Sequence, residues 1–215
     1  MSDVLHAALL KGDEGWLSEE DVDDLGRLSK QVVWVVDPLD GTREFVDGIP
    51  EWCISIGLVV NGTAVAGGVC NPATNEVFLG GLNSGVTCNG LRVQPTSRTD
   101  LNGALVLASR QEYKRGEWAQ FEGRPFSIRP TGSVAYKLAL VSAGLADATW
   151  TLSPKHEWDV AAGVALVNSG GATVACIRDG KLQFNQSKTL LPGLVASSSG
   201  IWPSVSRIVD EALVN

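Results

Sequence analysis

The chain has 215 residues, 44% apolar and 19% charged, with a net charge of −7. This is globular composition, and a chain of this length buries roughly 70% of its extended surface. No apolar run approaches the ~18 residues a membrane crossing needs. Met1-Ser2-Asp3-Val4 lacks a signal-peptide pattern, and the acidic balance argues against a broad nucleic-acid footprint.

A soluble, cytoplasmic protein is therefore expected. His6 and His156 are too few for a His-rich metal site, and Cys53, Cys70, Cys88 and Cys176 form no C-x-x-C pair. A zinc ribbon is excluded, and the cysteines read as buried, reduced thiols. An anionic substrate stays open, because clustered acids collect divalent cations that in turn hold an anion.

Val4–Lys11 reads as a weak helix, with Val4, Ala7, Ala8 and Lys11 on one face. Gln31–Asp37 is a β-branched and aromatic run that stops at Pro38, as a buried strand would. Trp52–Val60 and Thr63–Cys70 are strands joined by Asn61-Gly62, a hairpin signal. Asn89-Gly90 after Gly85–Cys88 repeats it, so an antiparallel sheet is expected in the first half.

Ala104–Ala108 is a short strand and Gln111–Phe121 a helix. Ser133–Ala143 is a stronger helix, with Val134, Leu138, Val141 and Leu145 on one stripe and Ser133 placed to cap it. Ala148–Leu152, Thr173–Ile177 and Gly193–Ser197 alternate with helices over Asp159–Asn168 and Pro203–Leu213, an α/β pattern. The polar stretch Asp100–Gly103 marks a boundary. Residues 1–103 are expected to form an α+β half, and residues 104–215 an α/β half that completes the site.

Asp37-Pro38-Leu39-Asp40-Gly41-Thr42 is the sharpest chemical feature. A strand delivers Asp37 at its C-terminal end, Pro38 turns the chain, and Asp40 points back to the same space. Two carboxylates and the Leu39 carbonyl can hold hard cations. If a helical turn follows, the Gly41 and Thr42 N–H groups add an anion site. The bland alternative is an Asx-turn. Ser18-Glu19-Glu20-Asp21 is either a solvated acidic loop or a third source of oxygen ligands. Asp159, in Trp158-Asp159-Val160-Ala161-Ala162-Gly163, reads first as a helix cap. The small residues after it would also permit the close approach that a crowded metal site requires.

Together, Glu19-Glu20, the D-P-L-D-G-T string at 37–42 and W-D-V-A-A-G at 158–163 resemble the signature of the inositol monophosphatase superfamily, in order along nearly the whole chain. The resemblance implies a layered α-β-α-β-α sugar-phosphatase-like fold, an antiparallel-sheet half plus an α/β half. It implies a magnesium-dependent and lithium-sensitive phosphomonoesterase with two or three Mg²⁺ ions per site; a homodimer is expected separately, from an apolar face left uncovered on the first-half sheet. Glu19, Asp37 and the Leu39 carbonyl would hold one ion. Asp37, Asp40 and Asp159 would hold a second, with Asp37 bridging. Gly41 and Thr42 would bind phosphate, Glu19, Asp37 and Thr42 would serve the attacking water, and Gly132, Ser133 and Asp159 would line the substrate pocket.

Arg43-Glu44-Phe45 and Leu17-Ser18-Glu19-Glu20-Asp21 resemble the 3'(2'),5'-bisphosphate nucleotidase branch more than the inositol branch. Lys155 stands where a second phosphate would be met, or is simply an exposed lysine. His156 reads as surface packing, or at most pocket rim. Family members also carry an upstream Asp-x-Val-Thr segment whose Asp orients the attacking water, and the sequence here begins after that point. Weak turnover and self-association are therefore expected, with metal and phosphate binding alone as the reading of a different class.

Overall fold

The computed structural model describes residues 2–178 and 182–214. The first half runs α1 (Ser2–Leu9), β1 (Gly15–Ser18), β2 (Val32–Asp40), α2 (Thr42–Val46), β3 (Cys53–Val60) and β4 (Thr63–Asn71). β5 (Glu76–Gly81), β6 (Gly85–Cys88) and β7 (Leu91–Val93) complete it. These seven strands form one sheet in sequence order. The Asn-Gly pairs act as hairpin turns: Asn61 and Asn89 have φ of 49° and Gly62 and Gly90 are also positive, as tight hairpins require. β1 departs from the antiparallel expectation, pairing parallel to β2.

The second half runs β8 (Ala104–Ser109), α3 (Arg110–Lys114), β9 (Phe126–Thr131), α4 (Val134–Ser142), β10 (Ala148–Thr151) and β11 (Lys155–His156). α5 (Glu157–Gly170), β12 (Thr173–Cys176), β13 (Leu190–Leu191), β14 (Leu194–Ser197) and α6 (Trp202–Val214) follow. Its five-stranded sheet has the order β12-β14-β10-β8-β9, mixing parallel and antiparallel pairs. No helix among the described residues is long and apolar enough to cross a membrane.

Helical and sheet layers alternate as the α/β reading expects. α4 and α5 lie between the two sheets. Leu17, Val33, Val35 and Val59 of the first sheet meet Val160, Ala161, Val164 and Leu138 in one core, which also reaches Leu194 and Ala196 of β14. α6 covers the far face of the second sheet with Val205, Ile208 and Val209. α5 approaches the first sheet closely because two glycines make room: a Cβ on Gly57 would lie 2.9 Å from the Ala161 Cβ, and one on Gly67 2.2 Å from the Ala162 carbonyl oxygen. The small residues after Asp159 therefore serve that contact.

Three expectations need correction. Gln111–Phe121 is not one helix: α3 stops at Lys114, Gly116 turns with φ of 79°, and a short 3-10 turn spans Ala119–Phe121. Burial of Trp118 overrides helical continuity, since its ring stacks on Trp150 at 4.7 Å and its Nε1 donates to Glu112. β2 does not end at Pro38 but stays paired to Asp40 through a bulge, with Asp37 opposite Ser55 and Asp40 opposite Cys53. A bulge admits proline, because the ladder is already interrupted there. Of the cysteines, Cys53 and Cys176 are buried, while Cys70 and Cys88 are half-buried on the first sheet.

Candidate active site

The bulge in β2 turns Asp37 and Asp40 toward one pocket of about 230 Å³. The same pocket is lined by Glu19, Leu39, Gly41, Thr42, Gly132, Ser133 and Asp159. The proposed ligand, phosphate and substrate residues thus all meet here, although Glu19 and Asp159 lie 140 positions apart. Of the acidic run Ser18–Asp21 only Glu19 lines the pocket, and Asp21 accepts from Ser2 and Trp16 instead. His156 does not line the pocket. Its ring stacks on Trp158 at 4.3 Å and its Nδ1 pairs with Thr189 Oγ1, which is the packing role.

Local bonds fix each acid. Asp37 Oδ1 accepts the Leu39 N–H at 2.9 Å, so the Asx-turn is real and holds the carboxylate over the turn. Thr42, at the start of α2, donates from Oγ1 to the Leu39 carbonyl at 3.1 Å. Gly41 enters α2 with φ of 92°, in a space where a Cβ would meet the Glu51 carbonyl at 2.9 Å. Asp40 Oδ2 accepts from Ser133 Oγ at 2.6 Å and from the Ala135 N–H at 2.8 Å. Asp159 in the first turn of α5 accepts the His156 N–H at 2.9 Å, so it caps the helix while lining the pocket.

The electrostatics are those of crowded acids. Burial, then Asp40 and Glu19, push the Asp37 carboxyl up to about 9. Burial and Asp40 push Asp159 up to about 7. Burial also raises Asp40, against the pull of Ser133, Ala135 and Lys137. Like charges held together out of water favour protons or cations. The donor set is all oxygen and carries several negative charges, which fits magnesium chemistry. As placed, no three acidic, histidine or cysteine side chains among the described residues cage a single point. A cation that keeps several waters in its shell needs fewer direct protein ligands than such a cage supplies.

The sequence reading missed part of the pocket. Arg110, Gln111 and Lys137 also line it, as does Arg43, which the sequence marked only as part of a branch-like string. Lys137 is 3% exposed, donates to the Thr131 and Ser133 carbonyls, and is lowered to about 8, first by burial. It stands as a lone lysine in the otherwise apolar run Val134–Val141, one turn from Ser133, and that was its signal. Arg110 directly follows β8, and nothing in its local sequence marks it.

Comparison with known proteins identifies the family. A model of the inositol monophosphatase family matches residues 3–211. The chain is 31% identical over 204 residues to the fructose-1,6-bisphosphatase/inositol-1-monophosphatase of Thermotoga maritima, covering 94% of this chain and 75% of that protein. It is 37% identical over 152 residues to Nus factor SuhB of Xylella fastidiosa, covering 67% and 54%. The chain thus spans only about half the length of that relative.

Among solved structures, the inositol monophosphatase of Anabaena superposes with a TM-score of 0.80 at 26% identity, covering 98% of this chain and 82% of that one. CysQ from Bacteroides thetaiotaomicron, a bacterial member of the same family, gives 0.79 at 25%, covering 92% and 81%. The chain belongs to the inositol monophosphatase family.

Proposed function

We propose that this pocket hydrolyses a phosphomonoester with two or three magnesium ions, and that its preferred substrate is a 3'(2'),5'-bisphosphate nucleotide. Glu19, Asp37 and the Leu39 carbonyl would hold one ion, and Asp37, Asp40 and Asp159 another. When bound, magnesium supplies an acidified water and neutralises phosphate oxygens.

The chain's own residues do the rest. Thr42 commits its proton to the Leu39 carbonyl, so its oxygen is left as an acceptor that can orient an attacking water. Gly41 and Thr42 open α2, whose first-turn N–H groups lack intrahelical partners and suit a phosphate. Ser133 and the Ala135 N–H hold one Asp40 oxygen and leave the other for a cation. The two halves of the chain act as one unit in this reading, since residues 1–103 bring Asp37 and Asp40 and residues 104–215 bring Ser133 and Asp159.

The observation that carries the bisphosphate preference is Lys155, which lines the same pocket as Asp159, Arg43 and Arg110. A cation at that rim suits a second phosphate. An inositol- or sugar-phosphate phosphatase is the second reading, favoured by the name of the Thermotoga relative. Phosphate release from adenosine 3',5'-bisphosphate, inositol 1-phosphate and fructose 1,6-bisphosphate, with and without Mg²⁺, tests both. The first reading expects the highest kcat/KM for the bisphosphate nucleotide and a selective loss in Lys155→Ala. No Mg²⁺-dependent release from any of them leaves only metal and phosphate binding.

A homodimer completes the proposal. Trp34, Ile56, Leu58, Ala66 and Leu79 make one apolar face of the first sheet, opposite the face that α5 covers, and it would pair with a second copy.

A further inference from the structure

Glu51 lies in the link between α2 and β3 and was not marked by any motif. Its Oε2 accepts from Arg110 Nη2 at 2.6 Å, from Arg110 Nε at 3.1 Å and from the Gly132 N–H at 2.7 Å. Arg110 Nη2 also donates to the Pro130 carbonyl at 3.0 Å. The Glu51 backbone sits between two pocket glycines. A Cβ on Gly41 would lie 2.9 Å from the Glu51 carbonyl oxygen, and one on Gly132 would lie 2.7 Å from the same atom. One residue therefore touches both sides of the site.

The corner it holds is strained. Ser133 has φ of 50°, a region that L-residues rarely adopt, and it is buried. Strain of this kind persists only where surrounding contacts over-determine it. Glu51 and Arg110 supply such contacts on the Pro130–Gly132 approach, one residue before Ser133. Past this corner, Ser133 Oγ and the Ala135 N–H both donate to Asp40 Oδ2.

We infer that Glu51 is a positioning residue: its ion pair with Arg110 and its bond to the Gly132 N–H fix the Ser133 corner, and the corner fixes the Asp40 carboxylate. Glu51 touches neither substrate nor ion and acts through Gly132, Ser133 and Asp40. The inference rests on reading Asp40 as a metal ligand. Partners of this kind typically cost 10–100-fold in metal affinity or activity when removed.

The test compares Glu51→Ala and Glu51→Gln with the unaltered chain. Four quantities are read: the melting temperature, Mn²⁺ affinity by calorimetry, kcat and KM for p-nitrophenyl phosphate, and the Ala135 amide resonance. Glu51→Ala is expected to shift the Ala135 amide and to weaken Mn²⁺ binding about tenfold or more. Its kcat should fall by a similar factor while KM stays within about twofold, the pattern of a lost transition-state alignment. Glu51→Gln keeps an acceptor for the Gly132 N–H and should recover a large part of each loss. A Glu51→Ala protein with an unmoved Ala135 amide and unaltered Mn²⁺ affinity overturns the inference, even if its melting temperature falls. If the unaltered chain hydrolyses no phosphomonoester, the phosphatase reading fails, and the Ala135 amide still decides the role of Glu51.

Discussion

Ser133 Oγ donates to the Asp40 carboxylate at 2.6 Å, joining two residues 93 positions apart. The same oxygen accepts the Tyr136 N–H at 3.0 Å and so caps α4. One hydroxyl therefore links helix stability to the geometry of an acid in the pocket, and two substitutions separate those roles. Ser133→Ala loses cap and donor, so stability should fall by about 1 kcal/mol and Mn²⁺ affinity by about tenfold. Ser133→Gly loses the donor but suits φ of 50°, and Gly at a cap costs only a few tenths of a kcal/mol. Its melting temperature should stay near that of the unaltered chain while its Mn²⁺ affinity drops. Calorimetry beside thermal melts reads both.

Asp37→Asn should act in opposite directions on stability and function. Burial and the neighbouring acids make the Asp37 charge costly, which is why its carboxyl is pushed up to about 9. The amide removes that cost and can still accept the Leu39 N–H. The metal-free variant should melt at or above the temperature of the unaltered chain, and its Mg²⁺-dependent phosphate release should vanish. A variant that keeps full turnover would place the reaction away from Asp37.

How much of this was legible beforehand depended on whether the signal was local. The Asn61-Gly62 hairpin, the Ser133 cap and the two acid-bearing strings are short-range patterns, and the structure brings those acids into one pocket. The bulge at Pro38 was not legible, because a proline can as readily end a strand as sit in an interrupted ladder. The break at Gly116 was not legible either, since it follows from Trp118 reaching Trp150 and Glu112. Glu51 and Arg110 are 59 positions apart, and their pairing exists only once β3, β8 and β9 are assembled.

Proton linkage gives a signed prediction. Asp37 is pushed up to about 9 and Asp159 to about 7. Both carboxyls therefore hold protons more tightly folded than unfolded. Folding of the metal-free chain takes up protons from the ordinary carboxylate range up to about 9, so its stability should fall as pH rises through that window. Metal binding must displace those protons, so Mg²⁺ affinity should rise with pH over the same range. Melts without metal at several pH values, and Mn²⁺ titrations in two buffers of different ionisation heat, read the two trends. A metal-free melting temperature that climbs with pH above the ordinary carboxylate range, where the lowered acids Asp21, Asp23 and Glu112 no longer titrate, would contradict the assignment.

Gly67→Ala should be among the most damaging small substitutions. Its Cβ would lie 2.2 Å from the Ala162 carbonyl oxygen, and a backbone atom cannot swing aside as a side chain does. α5 would have to lift from the first sheet, taking Asp159 with it. Overpacking typically costs 1–3 kcal/mol, and a fall of about that size is expected here with weaker Mn²⁺ binding. Gly90→Ala is a useful control, because nothing lies within 4 Å of its Cβ position, although its φ of 80° is itself unfavourable for alanine. The control should lose stability without losing Mn²⁺ affinity.

The outer face of the first sheet carries the last prediction. Alternation along β2, β3 and β4 sends Val33, Val35, Val59 and Val69 inward, while Trp34, Ile56, Leu58 and Ala66 line a shallow apolar groove on the other side. Leu79 stands over this groove at 54% exposure. Contiguous apolar surface on a sheet face favours association, and no charged side chain lines the groove to oppose it. The chain is expected to run as a dimer in light scattering at micromolar concentration. Leu79→Lys, which alters an already exposed position, should shift it to monomer with little change in melting temperature. The groove lies on the face away from α5 and shares no lining residue with the acid-bearing pocket, so Mn²⁺ affinity should be unchanged in the same variant. A chain that is monomeric before the substitution would show that this face does not pair with a second copy. A dimer that survives Leu79→Lys would move the interface elsewhere.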